Sequence, residues 1–350
     1  MQSPRYCYTN EDGKDIFLYF LRNAKGTEVS VTNYGAIITA FKLRQDDGTT
    51  NDIVLGFDDI REYRSDAYMK QNPFFGAAVG RYGNRISKAA FSIDGKHYPL
   101  HANMGPDHLH GGNNGIDKKV WTFIQQDENP ATLTLEYLSP DGEEGYPGNL
   151  KIRIRYELND QDELSFTYSA ETDQPTAVNL THHSYFNLHN GSGTIHDHEV
   201  RVCGSKILEQ NASLSTTGTL IPVEGTEFDF RTFTSVGERL STVPEYDKSF
   251  EIDTSLGDQN GEDLQLAAEL RFKANGLLLQ VYTSDPVVHF YTGKWIPPLT
   301  GKNGQAYDAF SGLCLETQIH PNAINIPHFP DTVLRPGKIY HSKTLYKITH

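Results

Sequence analysis

Ile152-Arg153-Ile154-Arg155-Tyr156-Glu157-Leu158 alternates large apolar side chains with charged ones. A period of two belongs to a strand with one buried face, because successive side chains leave opposite faces of the pleat. After the polar break Asn159-Asp160-Gln161-Asp162 the alternation resumes at Leu164, Phe166, Tyr168 and Ala170. Two such runs around a short polar break read as an antiparallel hairpin. Working outward, Phe91-Ser92-Ile93 and residues 96–100 flank Asp94-Gly95, a dipeptide suited to the positive φ of a tight hairpin turn. Residues 29–43, 122–126, 132–138 and 277–282 also read as strands. Only short stretches, 58–67 and 234–242, read as helical turns. A doubly wound parallel sheet needs long crossover helices, and this chain has none to offer. The expectation is an all-β protein, one large antiparallel β-sandwich spanning 1–350 as a single domain with no linker or repeat.

Composition agrees with strands and turns: 19 Tyr and 18 Phe against 30 Gly and 17 Pro favour them over long helices. The formal charge of −14 argues against a nucleic-acid partner, whose phosphates call for basic groups, and against a polybasic membrane surface. No apolar run approaches the roughly 18 residues of a membrane span. The first residues are polar, unlike a signal peptide, so a cytoplasmic location is expected. Cys7, Cys203 and Cys314 are odd in number, far apart and without C-x-x-C spacing, which suits buried thiols better than a disulfide framework or a zinc site.

Four segments carry possible chemistry. His108-Leu109-His110 would set two imidazoles on one face if extended, a metal pair without a third ligand nearby. His196-Asp197-His198 raises the same question in what reads as an exposed loop. Catalytic metal sites want about three converging ligands, so no metal is expected. In Asn179-Leu180-Thr181-His182-His183-Ser184-Tyr185-Phe186-Asn187-Leu188, adjacent histidines point to opposite faces, so at most one serves a given pocket as a proton carrier. In Gly312-Leu313-Cys314-Leu315-Glu316-Thr317-Gln318 a carboxylate sits inside an apolar strand, where it must be paired or functional. Desolvation would raise its pKa toward that of a useful base. Gly80-Arg81-Tyr82-Gly83-Asn84-Arg85-Ile86 offers Arg81 or Arg85 as a fork of donors beside glycines. It matches no phosphate or dinucleotide fingerprint, and no Gly-x-Ser-x-Gly elbow occurs.

Taken in order, these segments resemble the aldose 1-epimerase (galactose mutarotase) family. The resemblance runs from Gly35 to Pro336 and includes Leu109-His110-Gly111-Gly112, Tyr246-Asp247-Lys248-Ser249-Phe250, Val281-Tyr282-Thr283 and Phe290-Tyr291-Thr292-Gly293. It implies a galactose mutarotase-like supersandwich with a cleft for a monosaccharide, no metal and no organic cofactor. By position, Glu316 is implied as general base toward the C1 hydroxyl, and His183 as general acid toward the ring oxygen. Asn84, Arg85, His110, Tyr185 and Asp247 fall on substrate-contacting positions, and His182 receives no role. The implied reaction interconverts α and β anomers of hexoses such as galactose and glucose by opening and reclosing the hemiacetal. One departure is Asp285, where similar proteins commonly carry Gln; if it faces the cleft near Glu316 or Asp247, repulsion would perturb a carboxylate there. Three rivals stay open: a glycoside hydrolase using two carboxylates, a noncatalytic sugar-binding sandwich, and an epimerase of hexose 6-phosphates. Trp121 and Trp295 are candidates for sugar stacking, though the core is the ordinary place for such rings.

Overall fold

A computed structural model describes residues 3–45, 48–261 and 263–349; Met1 and Gln2 of the polar opening stretch lie outside them. The hairpin forms as expected, with Leu150–Leu158 antiparallel to Glu163–Thr172. Its register pairs Ile152 with Ala170, Ile154 with Tyr168 and Tyr156 with Phe166. All six are buried, whereas Arg153 and Arg155 are exposed. Asp162 takes a left-handed φ of 63° in the connecting turn. Cross-strand pairing of apolar side chains on one face is what fixes this register, since a slip of one residue would turn the whole set to water.

This hairpin lies in the largest sheet. From one edge that sheet runs through Thr122–Glu128, Ala131–Ser139, Leu150–Leu158, Glu163–Thr172, Tyr340–Thr349, Leu277–Thr283, Leu264–Phe272, Glu199–Val202 and Thr234–Ser235. A six-stranded sheet orders Tyr185–Phe186, Leu313–Gln318, Val287–Tyr291, Asp247–Ile252, Gly204–Gln210 and Thr216–Pro222. A third, five-stranded sheet is formed by the first strands, Arg5–Thr9 to Thr50–Asp52. One continuous core joins Leu133, Ile154, Phe166 and Tyr168 of the larger sheet to Phe250, Phe290, Leu313 and Leu315 of the six-stranded one.

The Asp94-Gly95 turn is present, with φ of 51° and 80° between Ala90–Ile93 and Lys96–Pro99. Residues 29–43 are not one strand. They form Glu28–Thr32 and Ile38–Arg44, separated by a turn in which Gly35 and Ala36 have φ of 62° and 49°. An apolar run hides that break, because Tyr34, Ala36 and Ile37 are buried like strand residues. A Cβ on Gly35 would stand 2.2 Å from the Asp117 carbonyl oxygen, so the turn needs glycine for space as well as for φ. Helix is confined to short segments such as Asp66–Met69 and Val236–Leu240.

Both sheets depend on the large rings between them. Phe166 is buried against Tyr156, Tyr168, His182 and Tyr346. Phe166→Ala is expected to lower stability by about 3–5 kcal/mol, read as a lower denaturant midpoint at unchanged slope. A loss under 1 kcal/mol would contradict this account of the core.

Candidate active site

Strand alternation builds the floor of the site. In Leu313–Gln318 every residue is buried, so the strand has protein on both faces. Leu313 and Leu315 enter the sandwich core, and Thr317 on that same face meets Thr344 of the larger sheet. Cys314 and Glu316 therefore point the other way. In the neighbouring strands Phe290 and Phe250 go to the core, which turns His289, Asp247 and Ser249 to the same side as Glu316. The register sets Glu316 beside His289, and His289 beside Ser249.

His183 closes one wall, just before Tyr185–Phe186, and its backbone N–H bonds the Ala77 carbonyl at 2.9 Å. Its ring lies between Phe74 and Tyr185, with centroids at 5.6 and 5.1 Å and planes within 27°. Nδ1 meets Cys314 Sγ at 3.4 Å, and Nε2 stands 3.6 Å from Glu316 Oε1. That gap exceeds an ordinary hydrogen bond, so the two groups face a common space rather than satisfying each other. Glu316 Oε2 is buried with no hydrogen-bond partner among the described residues. Burial lowers the His183 pKa below the usual imidazole value, and the charge of Glu316 offsets only part of that. His182 points away as expected, to Ser184 Oγ at 3.1 Å and the Tyr156 hydroxyl at 3.3 Å.

The second wall comes from two loops. Arg85–Ile86 pairs with His108–Leu109, and the residues beside these short strands, Asn84 and His110, both adopt left-handed backbone with φ of 57° and 51°. Each fixes the other: His110 N–H donates to the Asn84 carbonyl at 3.1 Å, and Asn84 N–H donates to His110 Nδ1 at 3.2 Å. His110 is held neutral, its pKa driven well down by burial and by the charges of His183 and Arg85. Arg85 is buried with Nε unpartnered. On the floor, Asp247 Oδ1 accepts from His289 Nε2 at 2.8 Å. Burial would raise the Asp247 pKa, but the hydrogen bond from His289 and the charges of Arg85 and Lys248 outweigh it and hold it down to about 2.

Structure thus assembles Glu316, His183, Asn84, Arg85, His110 and Asp247 around one space, with Tyr185 behind His183 as its stacking face. Two members of the site escaped the sequence reading. His289 sits in an apolar run immediately before Phe290-Tyr291-Thr292-Gly293 but outside that motif. Phe74 is signalled only by Pro73-Phe74-Phe75-Gly76, where it takes a φ of 60°.

Other expectations need correction. Left-handed backbone at His110 breaks the extended segment, so His108 and His110 do not share a face; His108 donates to the His101 carbonyl at 2.8 Å and accepts from Tyr146 at 2.8 Å. His198 is not an exposed loop residue but buried, accepting the Leu188 N–H at 2.9 Å. Arg81 is structural, its guanidinium bonded to Ser139, Pro140, Pro147 and Thr176. Trp121, by contrast, takes the ordinary place for such a ring, buried in the core. Asp285 turns from the cleft to Ser342 Oγ at 2.7 Å. Its pKa is raised to about 6 by burial, with Ser342 and Thr283 opposing, and not by another carboxylate.

The metal question changes form. Ligand atoms of His110, His183 and Glu316 lie within 4.8 Å of one another, so three groups converge where sequence offered only pairs. Yet His110 Nδ1 already accepts a backbone N–H, which leaves the proton on Nε2 toward the cleft. That nitrogen is then a hydrogen-bond donor and not a metal ligand. The set suits an oxygen-rich organic ligand better than a cation. An open groove of about 670 Å³ lies elsewhere, between Glu157, Asn159, His341 and Lys343, and has no such convergence of buried groups.

A buried carboxylate and an imidazole thus face one space on a sheet of this β-sandwich. The aldose 1-epimerase family profile matches residues 18–347, and the chain belongs to that family. It is 42% identical to galactose mutarotase of Sus scrofa over 326 residues, 91% of this chain and 90% of that protein. It is 32% identical to aldose 1-epimerase of Escherichia coli K12, covering 96% of each. Among solved structures, an aldose epimerase homologue from C. elegans superposes with a TM-score of 0.85 at 30% identity, covering 95% of this chain and 98% of that one. Galactose 1-epimerase from Lactobacillus acidophilus NCFM gives 0.82 at 26% identity, covering 99% and 98%.

Asp285 yields a stability prediction. A carboxyl whose folded pKa is raised stabilises fully below its unfolded value near 4, and that contribution is lost as pH rises to about 6. Asp285→Asn should therefore gain about 2 kcal/mol relative to wild type between pH 4 and pH 7. Chemical denaturation at the two pH values checks it; a difference independent of pH would contradict the burial of an ionisable carboxyl.

Proposed function

We propose that this enzyme interconverts the α and β anomers of free hexoses such as galactose and glucose, with Glu316 as general base and His183 as general acid. The observation that carries the reading is the pair itself: a buried carboxylate with one orphaned oxygen, 3.6 Å from an imidazole clamped between two rings. Opening a hemiacetal requires a proton off O1 and a proton onto the ring oxygen. Glu316 accepts the first and His183 delivers the second. The C–O ring bond breaks, the aldehyde turns about C1–C2, and closure on the other face returns both protons to their starting groups.

The electrostatics couple the two transfers. Burial disfavours the imidazolium, and the Glu316 charge partly offsets that cost. Once Glu316 takes the O1 proton that support disappears, so His183 becomes the stronger acid at the moment the ring oxygen needs its proton. Asp247, held ionised, accepts from sugar hydroxyls that do not react. Asn84, Arg85 and the Nε2–H of His110 donate to sugar oxygens from the facing wall.

The rivals fit less well. A hydrolase would set a second carboxyl across the reacting centre from Glu316, whereas the group 3.6 Å from Glu316 is the His183 imidazole. A hexose 6-phosphate would call for several free basic groups, yet Arg81 is tied to Ser139, Pro140, Pro147 and Thr176, Lys118 to Asp117 and Lys248 to Gln210. A pure binding site has no use for a proton donor facing an acceptor. We read 1–350 as one domain, because the cleft draws on residues from 74 to 316. The unpaired cysteines suit a reducing, cytoplasmic compartment.

Polarimetry of freshly dissolved α-galactose and α-glucose should show faster relaxation to the same final rotation with catalytic protein. Relaxation at the buffer rate for both sugars would refute the proposal. Glu316→Gln and His183→Asn should each lower the rate at least about a hundredfold with the fold intact by circular dichroism; near-normal activity in either would remove that residue's role. Dialysis against a chelator should leave the rate unchanged, and a loss restored by a divalent cation would reverse the argument from His110.

A further inference from the structure

We propose that His289 is a positioning residue: it fixes Asp247 as an acceptor for the ligand's hydroxyls and ties the floor of the cleft to its Asn84 wall. The inference rests on the reading of the cleft as a sugar site. His289 occupies the strand between those of Glu316 and Asp247, directly beside Glu316 in register, and is buried. All of its hydrogen-bonding capacity has a partner. Nε2 meets Asp247 Oδ1 at 2.8 Å, while Nδ1 meets Ser249 Oγ at 2.8 Å and Asn84 Nδ2 at 3.4 Å.

These contacts determine where the proton lies. Asn84 Oδ1 accepts the Arg85 N–H at 2.9 Å, so the Asn84 atom facing His289 is the amide NH₂, a donor. An NH₂ group and a hydroxyl can both be satisfied at Nδ1 only if that nitrogen is bare. The proton is then on Nε2, where it is given to Asp247. One carboxylate oxygen is occupied and oriented, and the other is left to accept from the ligand. Asn84, whose backbone also holds His110, is brought into the same chain of bonds. His289 does not exchange protons with the reacting atoms; it acts through Asp247 and Asn84.

Leucine at this position removes both nitrogens, whereas glutamine keeps one donor and one acceptor within reach. His289→Leu should raise KM for galactose at least about tenfold, with kcat within about threefold of wild type. His289→Gln should recover most of that loss. A merely structural role would lower the melting temperature without this split and without rescue by Gln. Independently, two-bond ¹H–¹⁵N NMR of wild-type protein should find His289 protonated at Nε2 and bare at Nδ1, a result that does not depend on how the variants fold. An unchanged KM in the Leu variant, a Gln variant as impaired as Leu, or a proton on Nδ1 would each overturn the proposal. If wild type shows no mutarotation, the functional reading fails instead, and the NMR tautomer still decides the hydrogen-bond arrangement.

Discussion

A strand buried on both faces cannot leave a carboxylate unattended, and Leu313–Gln318 is such a strand. Leu313 and Leu315 hold it to the sandwich core, so Glu316 is committed to the opposite face, away from solvent and 2% exposed. Burying a charge there is costly unless something nearby uses it. What meets it is His183, whose protonated form depends on that same charge. Carboxylate and imidazole are thus each other's condition, and the rest of the molecule can be read as the means of holding them apart by a few ångströms.

The means differ on the two sides. The floor is regular: three adjacent strands with the same alternation present Asp247 and Ser249, His289, and Cys314 and Glu316 on one face. Precision there comes from the sheet itself. The opposite wall is irregular, and Phe74, Asn84 and His110 all adopt left-handed backbone that non-glycine residues seldom take. Strained conformations of this kind persist where surrounding bonds over-determine them, and the reciprocal Asn84–His110 bonds do so here. Gly111 beside them is obligatory for space, since a Cβ would stand 1.7 Å from the Gly80 carbonyl oxygen.

How much of this was legible in the sequence follows from the same distinction. Period-two alternation reported the hairpin at 150–172 and its register, because burial of one face leaves a direct trace in residue type. It also separated His182 from His183. The lone Glu316 in an apolar run was conspicuous for the reason that makes it functional. Local pattern failed where a turn was itself apolar, as at Tyr34 to Ile37, and where a single φ redirected a side chain, as at His110. It had no means of seeing His289, whose importance lies in neighbours 42 and 205 residues away in sequence, Asp247 and Asn84. Asp285, a visible departure from similar proteins, turned to the larger sheet because Ser342 offers it a hydrogen bond.

The central claim is that Glu316 and His183 act as one coupled unit and not as two independent aids. A double-mutant cycle on kcat/KM for mutarotation, using Glu316→Gln, His183→Asn and the combined variant, tests this most directly. Coupling predicts that the double variant is scarcely slower than the worse single one, because either substitution alone already removes the linked transfer. Losses that multiply would contradict it and separate the base from the acid.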